Sequence, residues 1–161
     1  MNMRKKPWNR TDLPVYASSS CHAQQHNMHI LTYVNAISMQ PKRFVAGIYH
    51  GTKTLELVQA SGRFVLQLLA QQQYNLVNLL GKQSGNNIDK IERLQKRNLL
   101  AGWNDYWILK DALAVMELQV VHRFDAGDHE GFLCDVVRWK NLNDGTPLTL
   151  NFLRQKGLVR G

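Results

Sequence analysis

The chain has 161 residues, the length of one ordinary domain, of which 44% are apolar and 20% charged. That composition holds enough apolar material for a core and excludes wholesale disorder. Its longest apolar runs, 64–70 and 113–121, fall well short of the ~20 residues a helix needs to span a bilayer.

Two cysteines, Cys21 and Cys134, stand far apart and outside any Cys-x-x-Cys pair. This argues against a disulfide framework or a zinc ribbon and favours a reducing compartment. The basic start Arg4-Lys5-Lys6 leads into Pro7-Trp8 and not into an apolar run, unlike a secretory signal, so the expected setting is cytoplasmic. Twenty Lys plus Arg against twelve Asp plus Glu give a net charge of +8. The excess sits at the ends, on Arg4, Lys5, Lys6 and Arg10 and on Arg154, Lys156 and Arg160, while every acidic residue lies between Asp12 and Asp144. A nucleic-acid binder carries its basic stripe on the folded body, often with interleaved aromatics. Charge confined to the tails reads first as solvated ends that aid solubility, with a nucleic-acid arm as the lesser alternative. Residues 1–14 are expected to form a basic N-terminal arm and 15–161 one folded domain.

In chain order, 30–37 and 44–49 are rich in β-branched and aromatic residues and are separated by a polar stretch with Pro41, the pattern of two joined strands. Residues 54–61 place Leu55, Leu57 and Val58 on one helical arc and stop at Gly62, a short helix with a glycine C-cap. A strand over 64–69 follows, then a helix over 74–80, where Leu76, Val77, Leu79 and Leu80 recur at helical spacing before Gly81. Residues 82–87 read as loop and 89–96 as one or two helical turns. The second half is more plainly β: strands over 106–109 and 114–124, a turn over 125–128 with Gly127, and a returning hairpin strand over 130–140. A turn at 143–145 and a last strand over 148–152 complete the chain. Six or seven strands with small helices between them predict a mainly β (α+β) fold, a closed or half-closed antiparallel barrel with Greek-key-like connections. A dinucleotide-binding Rossmann unit is excluded, because no Gly-x-Gly-x-x-Gly follows a strand and no β-α alternation is sustained.

Cys21, His22, His26 and His29 have the right atoms for zinc or copper, yet their spacing matches no common metal pattern, and no metal site is expected. The stretch His50-Gly51-Thr52-Lys53-Thr54 offers more. A strand end opening into a helix presents free amides, and here two hydroxyls and a lysine join them, the ingredients of a phosphate cradle. A Thr-capped helix that binds nothing is the equal alternative. Lys90, after Asp89, reads as a further cation or as half of a solvated pair. His129, just after a turn, reads as a packing residue more readily than a catalytic one.

Taken in order, several segments resemble one family. Asn27-Met28-His29-Ile30-Leu31-Thr32-Tyr33 is similar to its Asn-x-Met-Thr-x-x-aromatic segment, with His29 and Ile30 standing for the methionine and threonine. Ser38-Met39-Gln40-Pro41 looks like its Ser-x-x-Pro strand end, and 61–69 like its Ser-Gly-x-Phe-Val-x-Asn-x-Leu strand. Ser84-Gly85 with Asp89-Lys90, and Asp111-Ala112-Leu113-Ala114 with Glu117 and Gly127-Asp128-His129, match two further stretches. The chain thus resembles the flavin reductase-like, FMN-binding split-barrel family, in particular its flavoredoxin-like branch, from about Val15 to Leu158. The resemblance implies a homodimeric barrel that binds FMN without a covalent link. It takes a hydride from NAD(P)H onto the flavin and passes electrons to free flavin or to an acceptor protein. Its implied cofactor-binding residues are Asn27, Thr32 and Tyr33 at the flavin, His50, Thr52, Lys53 and Thr54 at its phosphate or ribityl chain, Lys90 as added charge and Phe152 at the pocket edge. His129 is the implied catalytic residue, near ring and nicotinamide. An FMN-binding electron carrier with no NAD(P)H activity of its own is the alternative.

Overall fold

The structure is a computed structural model that describes residues 5–159. Nine strands and three α-helices follow in the order β1 (Tyr16–His22), β2 (Gln25–Leu31), β3 (Val34–Ser38), β4 (Arg43–Tyr49), α1 (Lys53–Ser61), β5 (Arg63–Leu68), α2 (Lys90–Lys96), β6 (Leu100–Trp103), β7 (Tyr106–Leu109), β8 (Ala114–Ala126), β9 (His129–Asn141) and α3 (Leu150–Gln155). Seven strands form one antiparallel sheet in the order β2-β1-β5-β8-β9-β4-β3, and β6 and β7 make a separate hairpin. The first and last strands of that order, β2 and β3, are joined by only Thr32 and Tyr33. Two residues reach about 10 Å at most, so the sheet must curl until its outer edges approach, which makes the expected split barrel. No helix among the described residues is long and apolar enough to cross a membrane.

Two apolar clusters fill the two sides of the curled sheet. The barrel interior holds Phe44, Ile48, Phe64, Leu66, Leu118 and Phe132, with Leu55 and Val58 of α1 packed against them. The outer face of β1 and β2 packs Ala17 and Met28 against Leu76, Leu80, Leu94 and Leu153 of the helical segments. The expected helix at 54–61 is α1, ended by Gly62 in the left-handed region at φ 71. Residues 89–96 form α2, with Asp89 as its N-cap.

Five elements differ from the sequence reading, the simplest being β6, which was not expected. Residues 30–37 are not one strand: the chain turns at Thr32-Tyr33 between β2 and β3. The apolar repeat over 74–80 lies in a 3-10 turn (Gln71–Leu76) and a π turn (Asn78–Lys82) and not in one α-helix. Residues 148–152 are not a strand. Pro147 and Thr149 make single bridges to Ala70 and Pro14, and Thr149 then caps α3 by accepting from the Phe152 amide. Strand β1 was not expected, because Ser18-Ser19-Ser20 carries little strand signal. Its hydroxyls are consumed inside instead: Ser18 Oγ donates to the His29 carbonyl at 3.1 Å, and Ser19 Oγ donates to the Trp107 carbonyl at 2.6 Å while accepting from Gln67 Nε2. Of the N-terminal segment, residues 1–4 lie outside the described residues. Asp12 Oδ1 accepts from the Asn151 amide at 2.8 Å, and Arg154 donates to the Thr11 carbonyl.

The β1–β2 hairpin turns on Ala23 and Gln24, at φ 49 and 66. A two-residue turn of this hand favours glycine or asparagine, and a side-chain-bearing residue there is strained. Gln24→Gly should therefore stabilise the chain by about 0.5–1 kcal/mol, read as a higher urea midpoint at unchanged slope.

Candidate functional site

The site is built on β2. Residues two apart on a strand point to the same side, so Asn27 and His29 stand together on one wall. Each is held from behind by a buried side chain. Thr54, fully buried in the first turn of α1, accepts a hydrogen bond from Asn27 Nδ2 at 3.0 Å. Lys90, at 1% exposure in the first turn of α2, has its Nζ 3.0 Å from His29 Nδ1 and 2.9 Å from the Leu80 carbonyl, to which it donates.

The wall faces a cavity of about 440 Å³, whose other sides are the 49–53 turn and the 81–85 loop. Asn86 Nδ2 donates to the Gly51 carbonyl at 3.1 Å and ties the two loops together. Gly51 has φ 80, a conformation that side chains resist, and so brings the chain sharply into α1. Thr52 caps that helix by accepting from the Leu55 amide and donating to the Tyr49 carbonyl. The amides of Lys53 and Thr54 have no protein partner among the described residues, as expected in a helix's first turn. Lys53 and Lys82 line the cavity and no carboxylate does. A second hollow of about 610 Å³ shares Asn27, Lys53 and Gly85 with it, but Asp89 and Glu92 line that one. The smaller cavity is the one whose charge suits an anion.

The remaining expected residues divide. Thr32 and Tyr33 line an adjoining groove of about 380 Å³ with Val34, Val45 and Phe124, a largely apolar cleft. His129 joins groove and cavity. Its ring lies edge-on to Tyr33 at 4.9 Å and to Tyr49 at 5.1 Å, and Tyr49 lines the cavity. Its Nδ1 is 2.6 Å from Asp128 Oδ1. His50, Thr52, Lys53 and Asn27 line the cavity itself. Thr54 and Lys90 stand behind its wall. Phe152 lies on α3, edge-on to Tyr74 at 5.6 Å, and lines none of these three hollows. Among the described residues no cluster of three or more His, Cys, Asp or Glu is placed to hold a metal. The sequence reading missed Tyr49, His29 and the 81–85 loop as lining. The Ser84-Gly85 pair was the available signal for the loop, and two-residue strand periodicity from Asn27 was the signal for His29.

Burial, and then the Lys90 charge, pull the His29 pKa down from 6.5 to about 4, and burial pulls Lys90 down from 10.5 to about 8. Between pH 6.5 and 4 the unfolded chain takes up a proton at His29 that the folded chain refuses, so stability falls as pH drops through that window. Unfolding free energy should be lower at pH 5 than at pH 7 by about 1–2 kcal/mol from this group alone. Urea titrations of the unmodified chain and of His29→Phe at both pH values check this, because the variant should lose that part of the difference.

Residues 8–157 match the family model of the flavin reductase like domain. The chain belongs to this family. Among its relatives, diflavin flavoprotein A 3 of Nostoc sp. is 33% identical over 101 residues, which are 62% of this chain and 17% of that protein. The high molecular weight rubredoxin of Moorella thermoacetica is 26% identical over 142 residues, 88% of this chain and 61% of that protein. The chain thus spans less than two thirds of either relative's length. The crystal structure of an FMN-binding protein from Thermus thermophilus, with bound 1-cyclohex-2-enone, has a TM-score of 0.75 at 24% identity, covering 88% of this flavin reductase-like chain and 80% of that one. The two share the split-barrel fold.

Proposed function

We propose that this chain binds FMN non-covalently and works as an NAD(P)H-dependent flavin oxidoreductase. The observation that carries the reading is the cavity between the α1 first turn and the Asn27–His29 wall. It offers the unclaimed amides of Lys53 and Thr54 and two lysines, with no carboxylate among its lining residues. Lys53 Nζ sits 3.2 Å from Glu56 Oε1 and donates to Gln25, so it would turn from them toward the ligand. A phosphate monoester brings close to two negative charges and three acceptor oxygens, which that donor set fits. The volume lies in the range of small-ligand sites, and the apolar groove beside it, bordered by Tyr33 and joined through His129, suits a flat ring.

In this reading Lys53 and the first-turn amides would hold the phosphate, with Thr52 shaping the turn through its cap. Asn27 and His29 would face the ligand, and the aromatic cluster of Tyr33, Tyr49 and His129 would border the ring. When bound, FMN would supply two-electron redox chemistry between NAD(P)H and free flavin or an acceptor protein. The chain would orient the reactants and cover one side of the site against water, and His129, edge-on to Tyr33 and Tyr49, would lie nearest the nicotinamide. A second copy of the chain completes the assembly. Tyr33, Ile37 and Met39 at the β3 end of the sheet and Val121, Val137 and Trp139 on the long β8–β9 hairpin are exposed, and a homodimer would cover them. Light scattering on the purified chain reads that state.

FMN titrated into the full chain should show saturable quenching of flavin fluorescence, and added NADH or NADPH should then be consumed with FMN present. Quenching without consumption selects the electron-carrier alternative. No quenching overturns the flavin reading.

A further inference from the structure

An ammonium group can donate hydrogen bonds and cannot accept them. Lys90 directs Nζ at two acceptors, the Leu80 carbonyl at 2.9 Å and His29 Nδ1 at 3.0 Å. Nδ1 must then offer its lone pair. A neutral imidazole carries one N–H, so the His29 proton belongs on Nε2. The ring stays neutral near pH 7 because burial and the adjacent ammonium oppose a charge on it and outweigh the Leu80 carbonyl, which favours one. His29 lines the 440 Å³ cavity and Lys90 does not. The edge of the ring left over after Lys90 has taken Nδ1 is therefore the edge available to a ligand.

We propose that Lys90 is a positioning residue that holds His29 in its Nε2–H form, and that His29 thereby donates a hydrogen bond from the cavity wall to an acceptor oxygen of the bound flavin. The proposal rests on the reading of this cavity as a flavin site. Its chemistry turns on the sign of the wall. With the proton on Nδ1, the ring would present a lone pair to phosphate, hydroxyl or carbonyl oxygens, which repels them. With the proton on Nε2 it presents a donor, already aimed before the ligand arrives and needing no rearrangement. Lys90 thus reaches the ligand through His29 and not by direct contact. Thr54 also stands behind the wall, but there the hydrogen bond runs the other way, with Asn27 Nδ2 donating to Thr54 Oγ1.

The tautomer is read without any ligand. In the full chain labelled with ¹⁵N-histidine at pH 7, His29 should show a protonated Nε2 and an unprotonated Nδ1. Lys90→Met should convert it to a mixture of the two forms. A His29 that is protonated on Nδ1, or on both nitrogens, in the unmodified chain overturns the proposal even if Lys90→Met fails to fold. The second measurement is the affinity of FMN and of riboflavin for the unmodified chain, His29→Phe and His29→Gln. Loss of one hydrogen bond at a partly buried site should weaken binding to His29→Phe on the order of tenfold, while His29→Gln, which keeps an amide donor, should recover most of it. A loss confined to FMN places the acceptor on the phosphate, and an equal loss for riboflavin places it on the ring or ribityl chain. Unchanged affinity for both ligands overturns the donor role. Failure of the unmodified chain to bind FMN overturns the flavin reading and the ligand half of the proposal, and the NMR result then separates that failure from a wrong tautomer.

Discussion

Gly85→Ala should weaken FMN binding at least tenfold and lower stability by about 1–3 kcal/mol. A Cβ at this position would lie 2.9 Å from Asn27 Cγ, closer than a Cβ approaches in folded proteins, and 3.1 Å from its Nδ2, a tight contact. The obstacle is not a side chain free to swing away. Asn27 is 3% exposed, and its Nδ2 is committed to Thr54. Either the amide rotates and breaks that bond, leaving buried polar atoms unpaired, or the 81–85 loop lifts from the wall. Both outcomes open the cavity on the side where Asn27 and His29 face it. The control is Gly102→Ala on β6, where an added methyl meets nothing within 4 Å. Calorimetric titration and thermal melts of the two variants check the prediction. Equal behaviour of the two would show that the close approach of loop and wall does not hold the site.

Phe132→Ala should destabilise the chain by about 3–5 kcal/mol and lower its melting temperature by roughly 10 °C. Phe132 is fully buried on β9, directly opposite Ala46 on β4, inside the cluster that also holds Phe64, Leu118 and Ile48. Strand backbones on both sides hold the surrounding side chains in place, so the space left by the ring would close only in part. Urea unfolding at constant pH gives the value. A loss below about 1.5 kcal/mol would mean that the barrel interior repacks freely, contrary to the close packing expected there.

The predicted elements succeed where local chemistry agrees with the fold. Gly62 ends α1, Asp89 caps α2, and the alternating residues around Gly127 pair as the β8–β9 hairpin, because each depends on neighbours a few positions away. They fail where a distant partner overrides the local signal. The serines of β1 read as loop, yet β1 sits between β2 and β5, and those serines are satisfied by Trp107, Gln67 and His29 from elsewhere in the chain. Residues 148–152 look like a strand by composition, but Thr149 supplies a cap and Leu153 finds a buried seat against the helical side of the sheet, so a helix forms.

The candidate site divides in the same way. Strand alternation, the helix start at Thr52 and the basic, carboxylate-free character of the 50–54 turn are properties of short stretches, and residue order alone determines them. Which residues meet the ligand depends on three-dimensional packing. Asn27, Thr54, Gly85 and Lys90 come from four separate parts of the chain. Only the curling of the sheet and the seating of α1 and α2 against β2 turn two of them into wall or loop and bury the other two behind it. Side-chain type decides what chemistry is possible, and burial decides which atoms are left free to perform it.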